Sequence, residues 1–406
     1  MRRSFLLLPL LALAAGPVPR EDPLPAQDLA TDAGACDALT LSLLADAAAA
    51  RRNVVFSPFS LSGALGMAAL GARGETLAQI DRVAGTGLDP TALAERAAGA
   101  RAAILDAANA DGVELVLADS LWKRANVSPL PAFEQALRKG FGAEIREFGP
   151  HPASEVNRWV SEKTKGRIPS LFDDVPSEAR LALVDAVYFK AQWAVPFERN
   201  KTSVRTFFPE EGATQSVPFM NLLSSFSYEA SPRWESLEIP YVGRRFRMQI
   251  VLPRPGTTLS SLVEDWRSGA EPPPGSPSRR DDLSWPAYLE LSLPKFSFEA
   301  SPDVDDALRR LGATDLFELQ RADFSGMVPP SDAPLALQRL SHRAVIEVDE
   351  RGTTASAATG GIMIGCAAQA TPERFVVDRP FAFFIRGPEG RILFAGALFD
   401  AAAATR

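Results

Sequence analysis

The stretch Glu347–Gly361, "EVDERGTTASAATGG", opens like a β-strand and then runs for ten residues without a large side chain. The chain is 46% hydrophobic, so such a bland segment needs its own physical reason. Alternation supplies one. In an extended segment starting at Thr353, one face carries Thr353, Ala355, Ala357, Thr359 and Gly361. The other carries Thr354, Ser356, Ala358, Gly360 and Ile362. Through Gly361 none is charged and none is larger than Thr. No Pro lies between Thr353 and Thr371, so every backbone N–H there can join a ladder. A segment of this kind can enter a packed sheet as a central strand. A buried charge would cost several kcal/mol, and an oversized side chain about 1–3 kcal/mol. Gly352 supplies a pivot after the strand "AVIEVDE". On composition alone, the stretch reads equally as a solvated surface loop.

Working outward, the first half of the chain reads as helices. "DALTLSLLADAAAA" (37–50) has helical spacing. "NVVFSPFSLSGALGMAALGARGET" starts as a strand, breaks at Pro58 and continues as a helix with Ser57 or Ser60 as cap. Residues 89–110 form an Ala-rich amphipathic helix, and "VELVLADSLWKR" alternates like a strand. "LPAFEQALRKGFG" and "ASEVNRWVSEKTKGRI" read as helices. From about residue 180, strands rich in Val, Ile, Phe and Tyr take over, including "RLALVDAVYFKAQW" and "AYLELSLPKFSFEA". A short helix is expected at "SPDVDDALRRLGA", starting at Ser301 and Pro302. "RPFAFFIRGPEGRILFAGALF" reads as a hairpin turning at Gly387, Pro388 and Gly390. Residues 268–282, rich in Pro, Gly and Ser, read as a surface excursion. With no repeat and no clean linker, one large α+β domain is expected.

Net charge is −7 with a pI of about 5.2, which argues against a nucleic-acid partner. Met1-Arg2-Arg3 followed by "SFLLLPLLALAAG" reads as a secretory signal over residues 1–15, cleaved near Ala14 or Ala15. A loose leader (16–36) follows, and an exported protein, extracellular or periplasmic, is expected. No later run approaches a membrane span, so no membrane partner is expected. The two cysteines, Cys36 and Cys366, and two histidines, His151 and His342, offer no zinc-ligand spacing. No metal or cofactor is expected. A Cys36–Cys366 disulfide is open. No G-x-S-x-G, Walker-type or dinucleotide-binding motif is present, and the two histidines sit in contexts that read as a surface loop and a strand core. No catalytic constellation therefore supports an enzyme.

Several motifs, in order, carry a resemblance. "NVVFSPFSLSGALGMAALGARGET", "VNRWVSEKTKGRI", "LVDAVYFKAQWAVPF", "LSLPKFSFE" and "RPFAFFI" resemble signatures of the serpins, and the opening stretch resembles the hinge of their reactive loop. The resemblance covers about residues 37–400, leaving a tail at 401–406. It implies a serpin fold of about nine helices and three β-sheets, with a reactive-centre loop at about 350–375. It further implies a suicide inhibitor: the protease forms an acyl-enzyme with the loop, which inserts into the main sheet before hydrolysis finishes.

Carried over residue by residue, the hinge comprises Glu350, Gly352, Thr353, Thr354, Ala355, Ser356, Ala357, Ala358 and Thr359. Family spacing forward from Glu350 places the reactive bond at Cys366–Ala367, behind a bait of Met363, Ile364 and Gly365. Insertion from Glu350 to Cys366 corresponds to about 56 Å at a rise of about 3.3 Å per residue. The uncharged bait points to a chymotrypsin-, elastase- or subtilisin-like serine protease as covalent partner. The alternatives are a papain-like cysteine protease target, or a non-inhibitory serpin acting as carrier or binding protein. Ser57, Ser60 and His342 match the polar shutter beneath the sheet, and Trp193 the tryptophan where insertion begins. The family's usual Asn in the shutter is Asp185 here, so an Asp185–His342 pair would make sheet opening pH-dependent. The helix that binds heparin in some members would be about 89–107. It has no basic stripe, so heparin-type activation is not expected. A monomer is expected.

Overall fold

In the computed structural model, residues 32–84, 87, 89–273, 285–332, 334–353 and 372–404 are described. Among them are eight α-helices: α1 (Asp32–Ala50), α2 (Pro58–Gly71), α3 (Gly74–Ala84), α4 (Pro90–Asp111), α5 (Pro131–Phe141), α6 (Pro152–Lys163), α7 (Leu259–Ser268) and α8 (Val304–Arg310). Proline opens α2, α4, α5 and α6, where its missing N–H costs nothing. Ser57 caps α2 by accepting from the Ser60 N–H, and Asp89 caps α4 by accepting from Thr91 and Ala92. Gly112 and Gly142 end α4 and α5 in the left-handed region, at φ 66° and 61°. The start expected at Ser301–Pro302 lies slightly further on. Asp303 caps α8, its carboxylate accepting from the Asp306 N–H.

The strands are β1 (Val54–Phe56), β2 (Glu114–Lys123), β3 (Glu144–Glu147), β4 (Leu181–Gln192), β5 (Ser203–Phe207), β6 (Gln215–Ala230), β7 (Trp234–Pro240) and β8 (Arg247–Pro253). They continue as β9 (Trp285–Pro294), β10 (Phe296–Ala300), β11 (Ala344–Asp349), β12 (Gly352–Thr353), β13 (Glu373–Val376), β14 (Phe381–Arg386) and β15 (Ile392–Leu398). Two hydrogen-bonded sheets result. One has the order β10-β11-β12-β4-β2-β3. The other runs β1-β15-β14-β8-β7-β6-β9-β13, with β5 on β6. The long β6 pairs with β9 over Phe219–Tyr228 and with β7 over Ser227–Ala230, which makes that second ladder continuous.

The mixed α+β architecture follows from how the apolar faces are covered. Val187 and Phe189 of β4, Ile346 of β11, Ile250 of β8 and Phe383 of β14 share one core between the two sheets. On the six-stranded sheet, Val156, Trp159 and Val160 of α6 cover Ala118 and Trp122 of β2 and Val184 and Ala186 of β4. Residues one step along these strands point the other way, toward α2 and α4. Leu121 of β2 there joins Leu61, Leu65 and Ala94. The 268–282 excursion lies mostly outside the described residues, as do residues 1–31 and 405–406.

Candidate functional site: the seat of Gly352–Thr353 and the polar cluster behind it

Two residues, Gly352 and Thr353, form a strand wedged into the six-stranded sheet. β12 pairs antiparallel with β11 on one side (Val348↔Thr353, Asp349↔Gly352) and with β4 on the other (Gly352↔Gln192, Thr353↔Ala191). The turn that reverses the chain is held by Asp349, whose Oδ1 accepts from the N–H groups of Arg351 and Gly352 at 2.8 and 3.2 Å. Gly352 has to be glycine. A Cβ there would stand 2.1 Å from the Ala191 carbonyl oxygen and 2.8 Å from Gln192 Cα. Closeness to β4, more than rotational freedom, is what the residue supplies.

Glu350, Trp193 and Thr353 are fixed around this wedge. Glu350 is 4% exposed, and its carboxylate accepts from Lys295 Nζ at 2.9 Å and Thr202 Oγ1 at 2.8 Å. Burial raises its proton affinity, but these bonds prevail and hold it below the usual carboxylate range. Trp193 donates its indole N–H to the Asp349 carbonyl at 2.9 Å and its backbone N–H to that of Arg351 at 2.9 Å. Its ring stacks on Tyr241 at 4.6 Å, and the Tyr241 hydroxyl shares a 2.7 Å hydrogen bond with Thr353 Oγ1. Burial pushes the Tyr241 hydroxyl well above the usual phenol range. Tyr241, Lys295 and Thr202 carried no local signal that sequence reading could use. They are assembled from three separate strand ends and loops.

Beyond Thr353, no hydrogen-bonded register joins β4 directly to β11 among the described residues. Val187 and Phe189 of β4, Val345 and Glu347 of β11 and Thr353 itself line a small cavity. Further along, a cavity of about 800 Å³ is lined by Leu181 and Leu183 of β4, Leu171 and Phe172 after α6, and His342 and Arg343 before β11. The hinge residues Thr354, Ala355, Ser356, Ala357, Ala358 and Thr359 lie outside the described residues. So do the bait Met363, Ile364 and Gly365, the bond Cys366–Ala367, and the side chain of Cys36.

Behind the sheet, Ser57, Ser60 and His342 come together. The buried His342 accepts the Ser57 backbone N–H at Nε2 (2.9 Å), and Ser57 Oγ accepts from the Ser60 N–H (3.0 Å). Burial lowers the His342 pKa to about 4, which keeps the imidazole neutral and able to accept. The expected Asp185–His342 pair is not formed. The β2–β4 register sets Asp185 directly opposite Asp119, on the same face of the sheet. Asp185 Oδ1 accepts the Ser60 hydroxyl, and Asp119 Oδ2 accepts Arg101 Nη1 at 2.7 Å. Burial and the neighbouring carboxylate push Asp185 well above the usual range. Asp119 and Arg101 were missed because their pairing depends on register and on one arginine of an Ala-rich helix.

This constellation is met with a family match over nearly the whole chain. The family model described as Serpin (serine protease inhibitor) matches residues 35–401. The chain is a serpin. It is 35% identical to Serpin B6 of Pongo abelii over 364 residues, covering 85% of this chain and 92% of that protein. It is 33% identical to leukocyte elastase inhibitor A of Mus musculus, with 85% and 92% covered. Among solved structures, "Cleaved Serpin 42Da" superposes with a TM-score of 0.79 at 27% identity, covering 90% of this chain and 97% of that one. Serpins are protease inhibitors and act on target proteases, and these relatives include proteins named as inhibitors. The secreted localisation expected from the N-terminal residues is corrected by the same relatives. Serpin B6 and the leukocyte elastase inhibitors are intracellular serpins, and residues 1–31, on which the expectation rested, are outside the described residues.

Proposed function

We propose that this serpin is a suicide inhibitor of a chymotrypsin-, elastase- or subtilisin-like serine protease, which it traps as the acyl-enzyme by inserting its cleaved loop between β11 and β4. The observation that carries this reading is the seat of β12. Its two residues are already hydrogen-bonded on both sides, in the position where a longer strand would continue. Ahead of them lie the cavities lined by β4 and β11. The residues next in sequence, Thr354 to Gly361, are small and uncharged, so entry buries neither charge nor bulk. Each residue entering the gap gains ladder bonds to two strands, which drives the process forward once the loop is cut.

Cleavage is assigned to Cys366–Ala367, and the bait Met363-Ile364-Gly365-Cys366 suits a protease with an apolar primary pocket. Incubation with elastase, chymotrypsin and subtilisin tests the reading. A complex that survives SDS with one of them supports it, and the mass of the released C-terminal peptide locates the cut. Simple loop cleavage by all three, with no such complex, overturns it.

A further inference from the structure

A hydrogen bond between two carboxyl groups needs a proton, because neither carboxylate has a donor of its own. Asp119 and Asp185 are set directly opposite each other on one face of the six-stranded sheet, which brings two carboxyl groups close enough to share one. Their remaining contacts tell the two groups apart. Asp119 is 5% exposed and is bound by the Arg101 guanidinium, which also donates to the Leu117 carbonyl. It therefore has a cation to balance a negative charge. Among the described residues Asp185 has no such cation. It takes only the neutral Ser60 hydroxyl of α2. Room for it exists because α2 carries Gly63, where a Cβ would stand 2.6 Å from Asp185 Oδ2.

We propose that Asp185 is a neutral carboxylic acid in the native serpin at neutral pH, donating its proton to the Asp119 carboxylate, and that this proton joins α4, β2, β4 and α2 into one hydrogen-bonded chain. The chain runs from Arg101 to Asp119, from Asp185 to Asp119, and from Ser60 to Asp185. It spans the place where β4, the strand that borders β12, rests on α2.

Among the described residues, the surroundings supply no second compensating charge. From α4 the facing cation is Arg101, and from α2 the facing groups are Ser60 and Gly63. His342, before β11, spends its Nε2 on the Ser57 N–H. On the sheet, the neighbours along the two strands on this face are Leu117, Leu121, Leu183 and Val187. The opposite face is covered by the apolar Val156, Trp159 and Val160 of α6. Loss of the proton would leave two carboxylates facing one guanidinium in a buried place, which repels β4 from β2 and from α2.

The sign follows from linkage. The native state keeps a proton that the unfolded chain releases in the ordinary aspartate range. Stability from this bond is therefore complete in acid and is lost as pH rises through the raised native value. This holds whether or not the protein traps a protease, so its test is separate from the test of inhibition.

Infrared spectroscopy of the intact wild-type protein at neutral pH reads the proton directly. A carboxylic-acid carbonyl band should be present, and it should vanish in the difference spectrum against Asp185→Asn. Asn keeps the shape and can still donate, through its amide N–H groups. Asp119→Asn provides a second variant should the first fold poorly. In parallel, the thermal midpoint of the wild type should fall as pH is raised from neutral into the alkaline range, and that slope should flatten in Asp185→Asn. An identical wild-type and Asp185→Asn spectrum in the acid carbonyl region would overturn the proposal, as would equal alkaline slopes.

Discussion

Gly352 and Ala191 approach so closely that the space between their strands excludes a single methyl group: an added Cβ would sit 2.1 Å from the Ala191 oxygen. Because both obstructing atoms belong to the backbone of β4, relief requires β12 or β4 to move. Gly352→Ala should therefore weaken the seat by about 1–3 kcal/mol, the cost of overpacking a filled site. Differential scanning calorimetry of the uncleaved protein checks this. A midpoint equal to wild type would mean that β12 does not occupy the position described.

Thr353 is 3% exposed and points at Tyr241. Thr353→Arg would bury a charge with no acceptor designed for it. We expect the variant to change from inhibitor to substrate, with the loop cut and the protease released active. Gel analysis after mixing with an inhibited protease gives the answer, and undiminished SDS-resistant complex would count against the insertion mechanism.

Tyr241→Phe removes one hydroxyl and keeps the stack on Trp193. The loss should be about 0.5–1.5 kcal/mol, the net worth of one hydrogen bond. Trp193→Ala removes a fully buried ring together with its bonds to the backbone of Asp349 and Arg351, so about 3–5 kcal/mol is expected. Urea titrations of both variants should rank them in that order, and the reverse ranking would refute the placing of the buried Trp193 ring and its backbone bonds above the Tyr241 hydroxyl as support for this wedge.

Acid should act through two groups in separate ranges. His342 is neutral when folded, with its pKa lowered from 6.5 to about 4. The unfolded chain gains a proton first, so the stability that His342 contributes falls as pH drops from about 6.5 to about 4, by roughly 3 kcal/mol in total. Glu350, held below the ordinary glutamate value of 4.5, adds a further loss below that pH. In His342→Gln this loss should be absent, and the proton that native Asp185 retains should make the midpoint rise as pH drops from neutrality toward the onset of the Glu350 transition. A His342→Gln profile of the same slope as wild type in that range would show that His342 does not contribute this dependence.

The parts of this molecule that could be read from sequence are those whose physics is local. Caps and breakers place α2, α4 and α5 within a residue or two, since Ser57, Asp89, Gly112 and Gly142 act on their own neighbours. The small-residue alternation after Gly352 likewise needs no partner to be noticed. What escaped depends on register. Asp119 and Asp185 are far apart in the chain and meet only because Asp119 pairs with Asp185 across β2 and β4. An offset of one residue would have turned Asp185 toward α6. For the same reason the pairing expected between Asp185 and His342 was misplaced. Both residues lie near Ser57 and Ser60, but the two serines hold one each.

Thr353 is paired in the six-stranded sheet, and the next described strand, starting at Glu373, is paired in the other sheet alongside β9. Everything after that point is woven in deeply: β14 is hydrogen-bonded to β8 and β15, and β15 in turn to β1. Phe381, Phe383 and Leu393 of this portion are wholly sequestered from solvent. A nick between the two sheets therefore creates a two-chain particle whose shorter member stays locked in place without any covalent tether. It should travel as one species in a native separation and come apart only when the molecule is denatured.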